Sequence, residues 1–162
     1  MSDLRWHVAH TRPRCEKKLV EFCNREALSH TLPLFRSVKK YRGKTKIFLK
    51  PLFPGYLFLR LEDEQRSRIR QNQHVANLLD VPDQREFELQ LEDILRALEL
   101  GVDVQLAPQI KEGIRVRIKA GPLRGFEAWV QRREGLSEVI LRLDFIGQAA
   151  AVAAAADDLE PI

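Results

Sequence analysis

Hydrophobic residues recur along the first half of the chain with two different periods, and each period predicts one kind of element. The alternating positions of Trp6 and Val8 indicate a first strand. Apolar residues between Cys15 and His30 follow the spacing of a helix, and Pro13 suits the first turn of that helix. On either side of Arg42-Gly43-Lys44, two further runs have the pattern of a β-hairpin, 34–41 and 45–49.

The remaining elements of this half complete an α+β pattern. Tyr56 to Leu61 has the composition and length of a strand, and Val75 to Val81 predicts another. Between them, Arg66 to Asn72 is basic and suits a short helix. A helical stripe begins after Pro82-Asp83 and ends at Gly101. The order β-α-β-β-β-α predicts an antiparallel sheet with helices on one face.

The pattern changes after a segment without a clear period, residues 101–110. Beyond it, short strands are predicted between turns that contain glycine: 114–119, 126–132, 138–143 and 149–154. Short strands at this spacing favour a small SH3-like β-barrel. We therefore predict one domain over residues 1–101, a linker over 102–110 and a second domain over 111–162.

The charge distribution suits an N-terminal half that binds a polyanion. Of the 162 residues, 44% are hydrophobic and 31% are charged, which fits packed cores with a charged surface. Lys and Arg number 19 against 14 Asp and Glu over residues 1–101, and 8 against 9 over 102–162. No acidic residue lies between Glu26 and Glu62. Most basic residues of this interval form a run that is either a solvated hairpin or an arm facing phosphates: Arg36, Lys39, Lys40, Arg42, Lys44 and Lys46.

Several classes of function find no support in the sequence. Cys15 and Cys23 are too far apart in the predicted helix for a disulfide, and the histidines are scattered, so we expect no metal and no cofactor. No nucleotide-binding loop or nucleophile motif occurs, and we expect a protein that is not an enzyme. There is no signal-peptide pattern and no apolar run long enough to cross a membrane, so we expect a cytoplasmic location.

The most informative stretch is Lys50 to Arg60, with the sequence Lys-Pro-Leu-Phe-Pro-Gly-Tyr-Leu-Phe-Leu-Arg. Pro51 and Pro54 fix φ, and Gly55 permits a backbone geometry that a side chain blocks. By itself, the stretch is explained by a rigid turn before a core strand. Phe-Pro-Gly-Tyr followed by apolar residues also resembles the N-terminal domain of the NusG family of bacterial transcription elongation factors.

A second motif strengthens this resemblance. Gly113 to Val130 combines an aliphatic strand, the Gly121-Pro122 turn and a second strand, and it resembles a KOW motif. The two resemblances together cover about residues 5–101 and 111–162. The total length and the sequence Pro51-Leu52-Phe53-Pro54 are similar to those of the specialised RfaH-type antiterminators.

The resemblance implies a protein that binds RNA polymerase and suppresses pausing or termination. In the family, an apolar patch of the N-terminal domain sits on the coiled-coil helices of the largest polymerase subunit. Phe53, Tyr56 and Phe58 match the family motif and are candidates for this patch, with core packing as the alternative for each. His10 is a further candidate, because an aromatic residue is common in the family at a position near the patch.

The resemblance also implies contacts with the nontemplate DNA strand. The candidates are basic or polar residues, of which arginine and glutamine suit base edges: Arg12, Arg14, Lys18, Arg68, Arg70, Gln73 and His74. The KOW domain is expected to recruit a small-subunit ribosomal protein or the termination factor Rho. We expect a monomer without a membrane partner. The alternative is a ribosome- or RNA-binding KOW protein whose N-terminal domain is an unrelated adaptor.

The C-terminal half carries a conflict between its turns and its helix propensity. Residues 148–156, Gln-Ala-Ala-Ala-Val-Ala-Ala-Ala-Ala, are strong helix formers. The glycine-containing turns and aliphatic strands around them favour a barrel instead. RfaH-type proteins have a C-terminal domain that refolds from a helical hairpin, which masks the polymerase site, into a barrel. We expect the barrel and keep an alternative helical state as a hypothesis, which requires two packings close in free energy.

Overall fold

The structure is a computed structural model that describes residues 4–101, 104–108, 114–133, 136–153 and 159–162. The chain divides into two compact units. One is formed by residues 1–33 and 53–88, and the other by residues 34–52 and 89–162. The domain boundaries predicted at residues 101 and 111 stay a prediction.

The elements belong to the predicted α+β class, and all three α-helices of the described residues lie before residue 100. The strands are β1 (Arg5–Thr11), β2 (Ser29–Thr31), β3 (Leu34–Tyr41), β4 (Lys44–Pro51), β5 (Tyr56–Leu61), β6 (Val75–Asp80), β7 (Val104–Pro108), β8 (Ile114–Ile118), β9 (Glu127–Arg133), β10 (Leu136–Leu143), β11 (Gln148–Ala153) and β12 (Leu159–Pro161). The α-helices are α1 (Glu16–Arg25), α2 (Arg66–Arg70) and α3 (Gln84–Glu99). Within the described ranges, no helix is both long and apolar enough to span a membrane.

The first unit is built on a four-stranded antiparallel sheet in the order β2-β5-β1-β6. Strand β1 lies between β5 and β6, and Val8 stands opposite Phe58 of β5. Residues 6–9 are all buried, which means that both faces of β1 are covered. The register between β1 and β6 shifts between His10 and Thr11. The register skips Ala76, so β6 carries the extra residue and the regular pairing of the two strands is interrupted there.

Two groups of side chains fill the core of this unit. The first is aliphatic and packs α1 and α2 against the sheet, and its fully buried members include Leu19, Cys23, Leu57, Leu59 and Ile69. The second is aromatic. Phe87 lies 5.6 Å from both Trp6 and Phe58 between ring centroids, and Phe58 lies 6.1 Å from Phe53. Their tilted and edge-on arrangement adds to the stabilisation from apolar burial.

The first turn of α3 is bound to β1 through one side chain. The Trp6 N–H donates to Oε1 of Gln84 at 2.5 Å, and Nε2 of Gln84 donates to the Trp6 carbonyl oxygen at 2.9 Å. The indole Nε1 of Trp6 also donates to Glu88 at 2.8 Å. The Gln84 side chain thus bonds the main chain of β1 as a neighbouring strand would.

Helix α1 is shorter than the prediction over residues 15–30. It ends at Arg25, and Ala27 then adopts a φ of +55°. The Leu28 N–H donates to the carbonyl oxygen of Cys23 at 2.9 Å, and the chain reverses into β2, which the sequence analysis missed. A helix end of this kind usually carries glycine. Because alanine occupies the position, no turn residue marks this helix end.

In the second unit, β3 and β4 form a separate two-stranded sheet. Val38 pairs with Ile47, and Tyr41 pairs with Lys44 at the turn. The two turn residues, Arg42 and Gly43, have φ values of +46° and +78°. Two successive positive φ values match the right-handed twist of a hairpin. The predicted hairpin is therefore confirmed.

The rest of the second unit contains a six-stranded antiparallel sheet in the order β12-β8-β9-β10-β11-β7. Strands β8 to β11 confirm the four predicted strands, although the predicted residue 154 lies outside the described residues. Residues 104–108, within the predicted linker, form β7 instead and pair with β11. A strand of five residues is too short for its alternation to stand out from an irregular segment.

The alanine-rich run is a strand over the residues that the structure describes. Strand β11 pairs with β10 on one side and with β7 on the other. Ala149 and Ala150 are fully buried. Hydrogen bonds to two neighbouring strands replace those of a helix, so tertiary context overrides the helix propensity of alanine. The alternative helical state remains a hypothesis.

Cys15 and Cys23 are free thiols with different surroundings. Cys15 is partly exposed, whereas Cys23 is fully buried in the aliphatic core. Burial raises the pKa of the Cys23 thiol to about 11. The thiol therefore stays protonated near neutral pH and behaves as an apolar core group.

We predict that Phe58→Ala lowers the free energy of unfolding by about 3–5 kcal/mol, because it removes a fully buried ring and leaves a cavity. The control is Leu4→Ala in the same unit, where the side chain is 45% exposed. Its loss should stay below about 1 kcal/mol. Urea unfolding followed by Trp6 fluorescence in a Trp129→Phe background measures both, since Trp6 packs near Phe58 through Phe87. Equal losses in the two variants would contradict the assignment of Phe58 to the core.

Candidate functional site

The C-terminal end of β1 brings together three separate segments of the first unit. The Thr11 N–H donates to the carbonyl oxygen of Gly55 at 2.9 Å, and the Arg12 N–H donates to that of His74 at 2.8 Å. The turn before β5 and the turn before β6 therefore meet at the same end of the sheet. Several residues predicted as functional stand here: His10, Arg12, Tyr56, Gln73 and His74.

His10 and Tyr56 form a stacked pair of rings. They are direct partners across β1 and β5, with ring centroids 5.1 Å apart and an angle of 13° between the planes. His10 is exposed and Tyr56 is half-buried, so the pair presents ring surface to solvent. Gly55 precedes Tyr56 with a φ of +87°, and a Cβ there would lie 3.6 Å from the His10 ring. That distance is an ordinary contact, so the backbone conformation, and not space, requires glycine.

Phe53 and Phe58 lie in the core, so their predicted place in a surface patch is wrong. Their exposed fractions are 1% and 0%. Tyr56 is the first residue of β5 and stands at the end of the sheet, whereas Phe58 lies two residues further inside the strand. Phe53 packs edge-on against Phe58. Both phenylalanines hold the turn and the strand in place and cannot contact a partner directly.

Arg12, Gln73 and His74 form a polar group at the same end of β1. Nε of Arg12 donates to the carbonyl oxygen of Gln73 at 3.0 Å. The His74 N–H donates to Oδ1 of Asn72 at 2.8 Å, which is the bond of an Asx-type turn and fixes the loop. A guanidinium has five N–H donors, so this contact leaves most of the donor capacity of the exposed Arg12 at the surface.

The other basic candidates are exposed and are not joined to this group. Arg68 lies 3.7 Å from a carboxylate oxygen of Glu26. Exposed ion pairs of this kind contribute little to stability and open easily. The remaining candidates share only their exposure: Arg14, Lys18 and Arg70. The structure therefore brings together three of the residues predicted to contact nucleic acid, Arg12, Gln73 and His74.

A histidine that the sequence analysis did not single out lies inside the sheet. His7 is 3% exposed, with Nδ1 2.9 Å from the Arg5 carbonyl oxygen and Nε2 3.4 Å from a carboxylate oxygen of Asp80. Asp80 also pairs with Arg66 at 2.9 Å. Burial lowers the pKa of His7, although the Arg5 carbonyl and Asp80 act in the opposite direction. The imidazole is therefore mainly neutral at pH 7 and has a structural role.

The chemistry that the described residues offer is that of binding. No group of three or more His, Cys, Asp or Glu side chains in the described ranges is placed to hold a metal ion. The end of β1 offers an aromatic surface and, beside it along the strand, a guanidinium with amide and imidazole neighbours. Rings suit apolar or stacking partners, and the guanidinium suits phosphates and base edges.

Comparisons with known proteins identify a family. A family model for NusG, described as "Transcription termination factor nusG", matches residues 4–98, which is more than half of the chain. No curated protein matches the sequence. Among solved structures, "Crystal Structure of MjSpt4:Spt5 complex conformation B" is 18% identical, with 97% of this chain and 96% of that chain covered and a TM-score of 0.32. A TM-score this low does not establish a common fold, so the family assignment depends on the sequence match.

We predict that Gly55→Ala lowers the free energy of unfolding by about 1–2 kcal/mol, because alanine must then adopt the positive φ of this position. Gly55→Asn is the matched control, since asparagine tolerates positive φ better than alanine. Gly55→Asn should lower the free energy of unfolding less than Gly55→Ala does, and urea unfolding measures both variants. An alanine variant as stable as the parent would show that the turn relaxes and does not require glycine.

Proposed function

The chain belongs to the NusG family, and we propose that it is a transcription elongation and antitermination factor that binds RNA polymerase. In this proposal, His10 and Tyr56 contact the coiled-coil helices of the largest polymerase subunit. The protein then suppresses pausing or termination by binding alone, without chemical turnover. The specialised RfaH-type role, suggested by the sequence Pro51-Leu52-Phe53-Pro54, is part of the same proposal.

The observation that carries this proposal is the stacked ring pair at the end of β1. The centroids of His10 and Tyr56 are 5.1 Å apart, and the pairing of β1 with β5 fixes both residues. Rings that are already ordered lose little conformational freedom when a partner binds. Tyrosine is also common among the residues that dominate binding energies at protein interfaces. The pair is therefore a suitable anchor for an apolar face of a helix.

The polar group next along β1 supports a contact with the nontemplate DNA strand. Arg12 is held by the Gln73 carbonyl oxygen, so its guanidinium has a defined position before DNA arrives. Guanidinium groups bind phosphates and guanine edges, and glutamine suits adenine. The exposed side chains of Arg14, Lys18 and Arg70, and that of Arg68, add attraction that does not depend on sequence.

The proposal gives the C-terminal sheet the role of recruiting a small-subunit ribosomal protein or Rho. Its support is the KOW-like sequence of residues 113–130, which contributes strands β8 and β9. The alternative function required an N-terminal adaptor unrelated to NusG. The family match over residues 4–98 contradicts that requirement.

We predict that Tyr56→Ala and His10→Ala each weaken binding to a fragment that carries the polymerase coiled-coil helices. The expected loss is about tenfold, or ~1.4 kcal/mol, because each removes one ring of the stacked anchor. Leu89→Ala on α3 is the control, since it removes an apolar side chain that is 50% exposed outside this site. Fluorescence anisotropy measures affinity, and urea unfolding confirms the fold. If Leu89→Ala weakens binding as much as the ring substitutions do, or if neither ring substitution weakens it, the polymerase contact lies elsewhere.

For the DNA contact, we predict that Arg12→Gln weakens binding to an elongation complex more than binding to the isolated helix fragment. The slope of log affinity against log salt should fall by about 0.7 for the one lost phosphate contact. Arg12→Lys keeps the positive charge but removes the planar guanidinium, so it separates the effect of lost charge from the effect of lost geometry. Arg85→Gln on α3 is the exposed control.

The same two binding assays test the exposed arginines of α2 through the double variant Arg68→Glu with Arg70→Glu. Charge reversal at these exposed positions should reduce association with the elongation complex and spare the helix fragment. An equal loss in the two assays, for these variants or for Arg12→Gln, argues against a surface that faces DNA.

A further inference from the structure

The β3–β4 hairpin sorts its side chains onto two different faces. In an antiparallel pair, directly opposed residues share a face, and successive residues alternate between faces. Lys39 stands opposite Lys46, and this pair defines what we call the lysine face: Phe35, Ser37, Lys39, Tyr41, Lys44, Lys46, Phe48 and Lys50. The opposite face mixes apolar residues with two cations: Leu34, Arg36, Val38, Lys40, Thr45, Ile47, Leu49 and Pro51.

The lysine face brings like charges close together. Lys39 and Lys46 are directly opposed, an arrangement that destabilises an antiparallel pair. Lys39, through a side-chain hydrogen bond and charge repulsion, lowers the pKa of Lys50 on the same face. The interval between Glu26 and Glu62 contains no acidic residue, so the hairpin has no anion of its own to offset this repulsion.

Solubility alone does not explain this arrangement. Lysines that only keep a hairpin from pairing with other strands serve equally well when they are spaced apart or mixed with acids. Four lysines on one face of two short strands lower stability through repulsion and give no benefit within the hairpin. An anion from outside the chain removes the repulsion and turns the cluster into a source of binding energy.

The dimensions and the rings of this face indicate what kind of anion fits. At about 3.4 Å per residue, β4 extends roughly 20 Å from Lys44 to Lys50, which matches about six phosphates along one nucleic acid strand. Tyr41 is 52% exposed and Phe48 is 40% exposed on the same face. Nζ of Lys39 lies 6.0 Å from the centroid of the Phe48 ring, so the cations and the rings are interleaved.

We propose that the lysine face of the β3–β4 hairpin binds the phosphodiester backbone of a nucleic acid strand without regard to sequence. Ammonium groups act as point charges that suit phosphates and read no base edges. Exposed rings among them accept bases by stacking when the strand is unpaired. None of its residues belongs to the polar group at the end of β1. The proposal depends on the hairpin alone and not on the polymerase contact of His10 and Tyr56.

The test compares two double substitutions of the full-length chain that remove the same charge from opposite faces. Lys39→Gln with Lys46→Gln changes the lysine face, and Arg36→Gln with Lys40→Gln is the matched control on the other face. The probes are a labelled oligothymidine strand of about 20 nucleotides and a duplex of about 20 base pairs. Fluorescence anisotropy at a series of KCl concentrations gives the affinities and their salt dependence.

We expect the lysine-face variant to lose about tenfold in affinity at low salt. Its slope of log affinity against log salt should fall by about 1.4 on the single strand, since each lost phosphate contact contributes about 0.7. The control should lose less than about twofold. Lys39→Arg with Lys46→Arg retains the charge and should retain the affinity. If Tyr41→Ala further weakens binding to the single strand, the natural ligand of this face is an unpaired strand. If the duplex binds equally well and Tyr41→Ala has no effect, the ligand is paired DNA.

Several outcomes overturn the proposal. Equal losses in the two glutamine variants show that only net charge matters, and an unchanged lysine-face variant shows that the face does not bind nucleic acid. A larger loss on the polymerase helix fragment, in the absence of nucleic acid, identifies an acidic protein as the occupant. Misfolding does not obscure these results, because removal of two opposed like charges should not lower stability, and urea unfolding verifies this.

Discussion

The pairing of β1 on both of its edges is the constraint on which the N-terminal unit depends. Because β5 and β6 flank this strand, residues 6–9 are buried on both faces, and the core groups pack against a fixed centre. Gln84 extends the same pairing to α3 by bonding the main chain of Trp6. The register shift at Ala76 then ends the regular ladder, and Arg12 beyond it bonds the loop before β6. The candidate site is thus placed by main-chain bonds, and rigid elements of this kind hold binding residues more accurately than free loops.

Sequence patterns predicted the elements well wherever a period or a turn residue marked them. The hairpin, the strand after Gly55 and the positive φ of that glycine all follow from local chemistry. Features that neither a hydrophobic period nor a turn residue indicates were missed. Ala27 ends α1 in a conformation that glycine normally adopts, and β7 exists only because β11 offers it a partner. The site divides in the same way. The motif marked three aromatic residues alike, and only the structure separates the buried Phe53 and Phe58 from Tyr56, whose binding role stays a proposal.

The two basic surfaces hold their cations in different ways. Arg12 is tied to a carbonyl oxygen, and its planar guanidinium keeps one orientation. The lysines of the hairpin are compact charges on flexible stems, and each stem can turn its ammonium group toward an anion. A guanidinium in one orientation can distinguish between arrangements of hydrogen-bond acceptors. Flexible ammonium groups instead adjust to phosphates in many positions. On the proposals above, the first surface would bind a nucleic acid strand in a defined orientation, and the second would bind phosphates without a fixed register.

The position of β11 decides where any refolding of the C-terminal sheet has to begin. A strand with a neighbour on each side cannot leave until one ladder opens, and β7 is the last strand in the order of the sheet. At one end of the β7 ladder, Gln148 stands opposite Pro108, which has no N–H to donate. If the sheet opens at this edge, the alanines of β11 lose their β7 partner and regain the backbone freedom that a helix requires.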